Sequence, residues 1–207
     1  MGHWEGDTMV GKGKARLLTL VERRSRYTVI EPTAEGCART ALAATLRGLY
    51  PWQEAVPGGV ASITFDNGSE FAEHELIDLV LGCTSYFARP YASWERGTNE
   101  NTNGLIRQYA PKRTDLGRLN GADVRRIADK LNDRPREVLG FRTPREVFEE
   151  SLSPCERRRA RTRSFRPKRN DPEQTALYTQ PECTSELNSR PGESDDVEYK
   201  HLILLDE

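Results

Sequence analysis

The segment RLLTLVER, residues 16–23, constrains the fold more than any other part of the chain. Its apolar residues follow one another almost without interruption, and a strand of that composition is typically buried on both faces of a sheet. Residues 1–10 and 26–32 also read as strands, and short connections join them to the segment between them. Because short connections join antiparallel neighbours, we predict a three-stranded meander that is covered by other structure on both faces.

The first predicted strand has two chemically different faces, because successive side chains of a strand point in opposite directions. One face carries Trp4, Gly6, Thr8 and Val10, and the other carries Glu5, Asp7 and Met9. The second face therefore brings two carboxylates into the sheet region of the protein.

After the meander, the apolar period changes from two residues to about 3.6. Thr33 is a candidate N-cap for a helix that PWQEAVPGG, residues 51–59, interrupts. The apolar positions of this helix are Ala34, Cys37, Ala38, Ala41, Leu42, Leu46 and Leu49. A fourth strand follows over residues 60–66, then a helix over 70–81 that ends at Gly82, and a fifth strand over 84–88.

Three more helices are predicted beyond the fifth strand. The first covers residues 99–109 and ends before Pro111, and the second begins after Asn120 as its cap. The third follows TPRE, residues 143–146, which combines a capping box with proline at the first helical position. The sequence thus predicts an α/β fold, a five-stranded mixed sheet with flanking helices, in a core domain over residues 1–150.

Residues 151–207 differ in kind from the rest of the chain. A dense basic run over residues 156–169 is followed by a polar and acidic stretch without apolar periodicity. Such a segment has too little apolar surface to offset the loss of chain entropy, so we expect it to be disordered.

Composition excludes some classes of protein. The net charge of −1 gives no overall positive field for nucleic acid, and the four cysteines do not form a CxxC pair. No segment reaches the roughly 18 apolar residues of a membrane span, and the N-terminus does not resemble a signal peptide. We therefore expect a cytoplasmic protein with no membrane partner.

Three carboxylates lie at places where a sheet could bring them together. Asp7 lies on the first strand, Asp66 ends the fourth, and Glu100 lies in the first turn of the helix after the fifth. A group of oxygen ligands suits Mg²⁺, and a pair of such ions promotes displacement at a phosphodiester. Spacing alone does not settle the choice among the 32 acidic residues, and Glu5, Glu70 and Glu95 stay alternatives.

Five blocks of the chain narrow this choice. They are GHWEGDT (2–8), LVERRSRYT (20–28), TFDNGSEF (64–71), YFARPYASWERGTNENTNGLIRQY (86–109) and LNDRPREVLGFRTPREVF (131–148). In order and content they resemble the successive motifs of the insertion sequence 30 family of transposases. That family belongs to the DDE transposases and retroviral-type integrases, so the resemblance implies a ribonuclease-H-like fold over about residues 2–148.

The resemblance also implies a site and a reaction. It places the catalytic, metal-binding acids at Asp7, Asp66 and Glu100, with two Mg²⁺ or Mn²⁺ ions as cofactors. It implies DNA cleavage and strand transfer, with transposon ends and target DNA as partners and a homo-oligomer as the active form. In the helix after Glu100, Asn103, Gly104 and Arg107 share its face, and Lys112 and Arg113 extend the charge, so we expect these five residues to bind DNA.

Two readings of the whole chain follow from the sequence. Asp7 lies so near the start that we expect no helix-turn-helix segment before the core, and the tail from residue 151 does not match the family. The first reading is a working strand-transferase core. The alternative is an inactive, truncated remnant that only binds DNA or intact transposase. Tyr91 and Trp94 are expected either to stack on bases or to pack within their loop.

Overall fold

The computed structural model describes residues 1–53, 55–89 and 97–152. The predictions for Tyr91, Trp94 and Glu95, and those for the tail beyond residue 152, lie outside the described residues. The predicted boundary near residue 150 stays a prediction.

One five-stranded sheet forms the centre of the described structure. Its strands are β1 (His3–Val10), β2 (Arg16–Glu22), β3 (Thr28–Thr33), β4 (Ser62–Phe65) and β5 (Thr84–Phe87), and their spatial order is β3-β2-β1-β4-β5. β1, β2 and β3 pair antiparallel, whereas β4 pairs parallel with both β1 and β5. The predicted meander and the mixed sheet are therefore confirmed.

Five α-helices flank this sheet in the described part of the chain. They are α1 (Ala38–Gln53), α2 (His74–Leu81), α3 (Gly97–Ile106), α4 (Gly121–Asn132) and α5 (Pro144–Ser151). The caps predicted at Asn120 and Thr143 are both present as capping boxes, in which each cap side chain accepts from the backbone N–H three residues on. The predicted starts of α4 and α5 are thus confirmed.

Several helix boundaries differ from the prediction. α1 begins at Ala38, because Thr33 still pairs with Arg16 as the last residue of β3, and it continues through Pro51 in its final turn. The helix predicted over 70–81 is divided into a 3-10 turn, Ser69–Phe71, and α2. α3 begins two residues before the predicted start and ends at Ile106, three residues before the predicted end.

Two hydrophobic clusters lie on opposite faces of the sheet. The first includes Trp4 and Phe65 from the sheet together with Phe148 of α5, and the helices α1 and α2 contribute Leu49 and Ile77. The second joins Met9, Leu17 and Ile30 of the sheet to α3, α4 and the loop between them, through Ile106, Ala110, Leu116, Val124, Ile127 and Leu131. β2 is thus buried on both faces, as its apolar run predicts.

Gly6 matters for the first cluster because the Phe65 ring lies directly over it. A Cβ at that position would lie 2.5 Å from Cε1 of Phe65, which is closer than van der Waals contact permits. No helix among the described residues is both long and apolar enough to cross a membrane.

Candidate active site on the α3 face of the sheet

Asp7 lies on β1, and Asp66 directly follows β4, the strand that pairs with β1. The parallel register pairs Glu5 with Thr64, and β4 ends at Phe65. Residues two apart on a strand share a face, so Asp7 lies on the β1 face that carries Glu5 and that α3 contacts. That Asp7 and Asp66 form one site stays a prediction.

The turn after Asp66 explains the residues Asn67 and Gly68. The backbone N–H of Gly68 donates to Oδ1 of Asp66 at 3.0 Å, and the Asn67 side-chain amide donates to the carbonyl of Ala88 at 2.8 Å. A Cβ at Gly68 would overlap the Glu70 carboxylate and lie 2.9 Å from Oδ1 of Asp66. The turn therefore needs glycine for space and asparagine to attach it to the end of β5.

A network of hydrogen bonds orients Asp7. The backbone N–H of Thr8 donates to Oδ1 at 2.9 Å, and the Asn103 amide donates to Oδ2 at 2.6 Å. The Thr19 hydroxyl lies 3.1 Å from Oδ1 of Asn103 and 3.1 Å from the carbonyl of Asp7. These hydrogen bonds therefore fix the orientation of the Asp7 carboxylate.

Glu5 has a different role from Asp7, although both lie on the same strand face. Glu5 is 1% exposed, and its Oε1 pairs with Nε of Arg23 at 3.2 Å. Its Oε2 accepts from the backbone N–H of Asn99 at 3.0 Å, in the first turn of α3. A buried carboxylate at this end of a helix satisfies an N–H without an intrahelical partner and interacts favourably with the helix dipole.

Glu100 lies on the exposed side of α3. Thr98, Asn101 and Thr102 line a cavity with Arg26 and Arg136, so that side of the helix is turned toward the β2–β3 hairpin. At 3.6 residues per turn, Glu100 lies on the side of α3 opposite these cavity residues. Within residues 1–53, 55–89 and 97–152, no three acidic, histidine or cysteine side chains are grouped closely enough to hold a metal ion.

The five residues predicted to bind DNA fall into two groups. Gly104 is exposed, with open space where a Cβ would lie, and Lys112 and Arg113 are exposed in the turn after α3. Asn103, by contrast, bonds to Asp7, and Arg107 donates to the carbonyl of Val10 at 2.8 Å. The first group forms an accessible surface, and the second has partners within the protein.

The sequence gives no local signal for two of the site's polar residues. Thr19 looks like one β-branched residue within an apolar strand, and its partner Asn103 lies 84 residues away along the chain. Glu5 is visible as a second acid on the strand face, but its contact with Asn99 joins residues 94 apart. Only the placement of α3 across β1 and β2 identifies both roles.

Known proteins resemble this chain in sequence and in fold. Residues 1–93 match the integrase core domain family. The transposase InsI of insertion sequence element IS30A from Escherichia coli (strain K12) is 40% identical over 154 residues, which is 74% of this chain and 39% of InsI. The transposase of IS1086 from Cupriavidus metallidurans is 40% identical over 153 residues, which is 73% of this chain and 44% of that protein.

The solved structures support the same fold. The catalytic core domain of BIV integrase superposes with a TM-score of 0.55 at 22% identity, over 72% of this chain and 95% of that domain. A chain of the simian T-cell lymphotropic virus intasome gives a TM-score of 0.56 at 18% identity, over 70% of this chain and 53% of that one. The ribonuclease-H-like integrase fold implied by the sequence blocks is thereby confirmed.

The chain spans less than half of the length of the curated transposases that it matches. Within the matched region, the motifs around Asp7 and Asp66 occupy adjacent strands of an integrase-type sheet. On these grounds the chain belongs to the insertion sequence 30 family of transposases.

Proposed function

We propose that this chain is a transposase catalytic core that cleaves DNA at the ends of an insertion sequence and joins them to target DNA. The observation that carries the proposal is the parallel pairing of β1, which carries Asp7, with β4, which ends one residue before Asp66. Relatives named as transposases contain the same region at 40% identity, which supports assigning their reaction class to this chain.

The donor atoms of the site fit a hard divalent cation. The two aspartates supply carboxylate oxygens, and hydrogen bonds from Thr8, Asn103 and Gly68 orient them. Mg²⁺ and Mn²⁺ prefer such oxygen ligands. When two such ions are bound, they activate the attacking oxygen and stabilise the leaving oxygen at phosphorus.

We assign the third carboxylate to Glu100. It lies on the exposed side of α3, one helical turn before Asn103, which bonds to Asp7. A cation and a DNA phosphate between α3 and β4 would favour a rotamer of Glu100 that points to Asp66, because an exposed glutamate changes rotamer at little cost. Glu100 therefore completes the ligand set only in the loaded site.

The reaction consists of two in-line displacements. In the first, water attacks a phosphodiester and the 3′ oxygen leaves as a free hydroxyl. In the second, that hydroxyl attacks a phosphodiester of target DNA, whose own 3′ oxygen leaves. Asp7 and Asp66 would hold the metal ions to which the reacting phosphate binds, and Asn103 fixes the orientation of Asp7.

The accessible residues after Glu100 are the proposed DNA contacts. Gly104 allows a DNA backbone to approach α3, and Lys112 and Arg113 offer positive charge in the next turn. Arg107 would bind DNA only through donors that its bond to Val10 leaves available. A homo-oligomeric active form and a cytoplasmic location belong to the same proposal.

The direct test is nicking of supercoiled plasmid by the full chain with Mg²⁺ or Mn²⁺. We expect cation-dependent nicking by the wild type and a loss of at least about a hundredfold in Asp66→Asn and Glu100→Gln, because each loses a charged metal ligand at nearly constant volume. Glu75→Gln is the matched control, since Glu75 is exposed on α2 of the opposite layer.

Isothermal titration with Mn²⁺ separates metal binding from turnover. Asp66→Asn should weaken Mn²⁺ binding, whereas Glu75→Gln should bind as the wild type does. Wild-type protein that is folded and binds Mn²⁺ but never nicks or joins DNA would support the inactive-remnant reading. Equal nicking by the wild type and Asp66→Asn would show that the site lies elsewhere.

A further inference from the structure

Three arginines converge at the start of α3, on the side of the helix away from Glu100. Arg23 and Arg26 come from the β2–β3 hairpin, and Arg136 from the segment after α4. They line a cavity of about 420 Å³ together with Gly97 and Thr98. No part of the proposed reaction uses this cavity.

Arg26 holds an unusual backbone conformation at this place. Its φ of 62° lies in the left-handed region, where glycine or asparagine is the ordinary choice for a turn. Its guanidinium donates to Oγ1 of Thr98 at the start of α3. An arginine in a position that favours glycine indicates that its side chain is needed there, since the conformation itself has a free-energy cost.

The charges in the cavity are not balanced within the described residues. Glu5 offsets Arg23 through their contact at 3.2 Å, and Glu5 in turn is satisfied by the Asn99 N–H. Nε of Arg136 is buried without a hydrogen-bond partner. Burial lowers the pKa of Arg136, and the nearby charges of Arg134 and Arg26 lower it further. A bound anion would relieve this repulsion.

We propose that this cavity binds a phosphate of the DNA backbone through Arg26, Arg136 and the N–H groups of α3 that precede Asn99. Guanidinium groups bind phosphate through paired hydrogen bonds, and the first N–H groups of a helix have no intrahelical acceptor. Among the described residues, no heavy atom other than those of its chain neighbours and its own helix lies within 4 Å of where a Cβ of Gly97 would be, which leaves room for a phosphate at the helix start.

The position of the cavity favours a DNA phosphate over a free anion, an assignment that rests on the proposed function. Its wall includes Glu5, which lies two residues before Asp7 on β1. A DNA strand whose reacting phosphate lies near Asp7 would therefore pass the cavity with a neighbouring phosphate. The site would hold that strand in position without reading its sequence.

The test measures the salt dependence of DNA binding by the full chain, using fluorescence anisotropy of a labelled 20-base-pair duplex. Arg26→Gly removes the guanidinium and relieves the left-handed strain, and Arg136→Ala removes the second donor. Each should weaken binding several-fold and reduce the slope of log affinity against log salt by about one, because one phosphate contact is lost. Arg118→Ala, at an arginine whose side chain is 87% exposed and which lies outside the cavity, should change neither quantity.

Two outcomes would overturn the proposal. An unchanged slope in both cavity variants, with circular dichroism showing that they are folded, would exclude a contact with a DNA phosphate there. An equal fall in slope for Arg118→Ala would show a general effect of charge rather than a site. Because Arg136→Ala leaves the left-handed turn intact, it tests the proposal even if Arg26→Gly perturbs the hairpin.

Inorganic phosphate separates the two sources of the anion. Phosphate should raise the thermal midpoint of the wild type more than chloride of equal ionic strength does, and this difference should shrink in Arg136→Ala. Stabilisation by phosphate together with an unchanged DNA slope would assign the cavity to a free phosphate compound and overturn the DNA assignment. Plasmid nicking is scored separately: absent nicking with a changed slope would count against the proposed reaction and leave the phosphate site standing.

Discussion

The helices α1, α2 and α5 cover one face of the sheet almost entirely with apolar side chains, whereas α3 and α4 meet the other face through buried polar groups as well. Trp4, Phe65 and Phe148 are each at most 1% exposed on the first side. On the second side, Glu5, Asn99 and Asn132 are equally inaccessible, and two of them bond across elements.

The difference between these layers follows from what each has to do. Apolar contact is nondirectional, so a layer built from it tolerates small shifts of its helices. Hydrogen bonds and buried charges require specific distances and angles, so α3 and α4 have closely defined positions over β1 and β3. The position of the layer that carries Glu100 therefore depends on directional hydrogen bonds as well as on the apolar area that it buries.

The largest expected effect on stability lies in the apolar layer. Phe148 stacks on Tyr27 with ring centroids 4.4 Å apart and makes edge contacts with Trp4 and Trp52. Phe148→Ala should lower the free energy of unfolding by about 3–5 kcal/mol, because it leaves a cavity among rigid rings. Leu79→Ala, at a side chain that is 62% exposed on α2, is the control and should have little effect in urea denaturation.

The loss of Phe148 should leave the site chemistry intact wherever the protein stays folded. If Phe148→Ala abolished Mn²⁺ binding at low temperature while circular dichroism stayed native, the two layers would not be independent. The comparison between them would then be wrong.

A smaller effect is expected where α4 meets β3. The Asn132 side chain accepts from the backbone N–H of Thr28 at 2.8 Å and donates to its carbonyl at 2.9 Å. Asn132→Ala should cost about 2–4 kcal/mol, since it leaves two buried backbone groups without partners. Amide hydrogen exchange at Thr28 should accelerate more than exchange in α1. Uniform acceleration in both layers would mean that the bond does not act locally.

The two layers also differ in how far sequence alone predicts them. β2 and the caps of α4 and α5 could be predicted because the signal is local, an apolar run or a cap with its partner three residues on. The start of α1 could not, because Thr33 pairs with Arg16 across the sheet instead of capping a helix.

The candidate site shows the same limit. The pairing of β1 with β4, which carry or directly precede Asp7 and Asp66, could be expected from a mixed sheet with this order of elements. The role of Glu5 could not be predicted, because its partner Asn99 is 94 residues away and carries no motif of its own. Contacts between distant segments depend on how the helices settle on the sheet, and no periodicity within one segment encodes them.

Glu5 offers a sharper test of the polar layer. Glu5→Gln keeps the volume but removes the charge at the start of α3, and we expect a loss of about 1–2 kcal/mol. The cost is limited because Arg23 is half exposed and can turn into water. Exchange at the Asn99 amide should rise and nicking should fall, since α3 would be held less firmly. An unchanged Asn99 amide would show that Glu5 does not position the helix.

The smallest effect on stability, and the most informative for the site, is expected at Asn103. Asn103→Ala removes one bond to Asp7 and one to Thr19, both in a half-buried region, so we expect about 1 kcal/mol in urea denaturation. The Asn103 amide donates to Asp7 at 2.6 Å. We therefore expect Asn103→Ala to slow cleavage by tenfold or more, while its affinity for a labelled duplex stays within a factor of two of the wild type. Gly104→Ala, on the neighbouring exposed position with open space around it, should show the reverse pattern of weaker DNA binding and an unchanged rate at saturation. Should Asn103→Ala weaken DNA binding and leave the saturated rate intact, Asn103 would be a DNA contact, and the polar layer would serve to bind substrate rather than to orient Asp7.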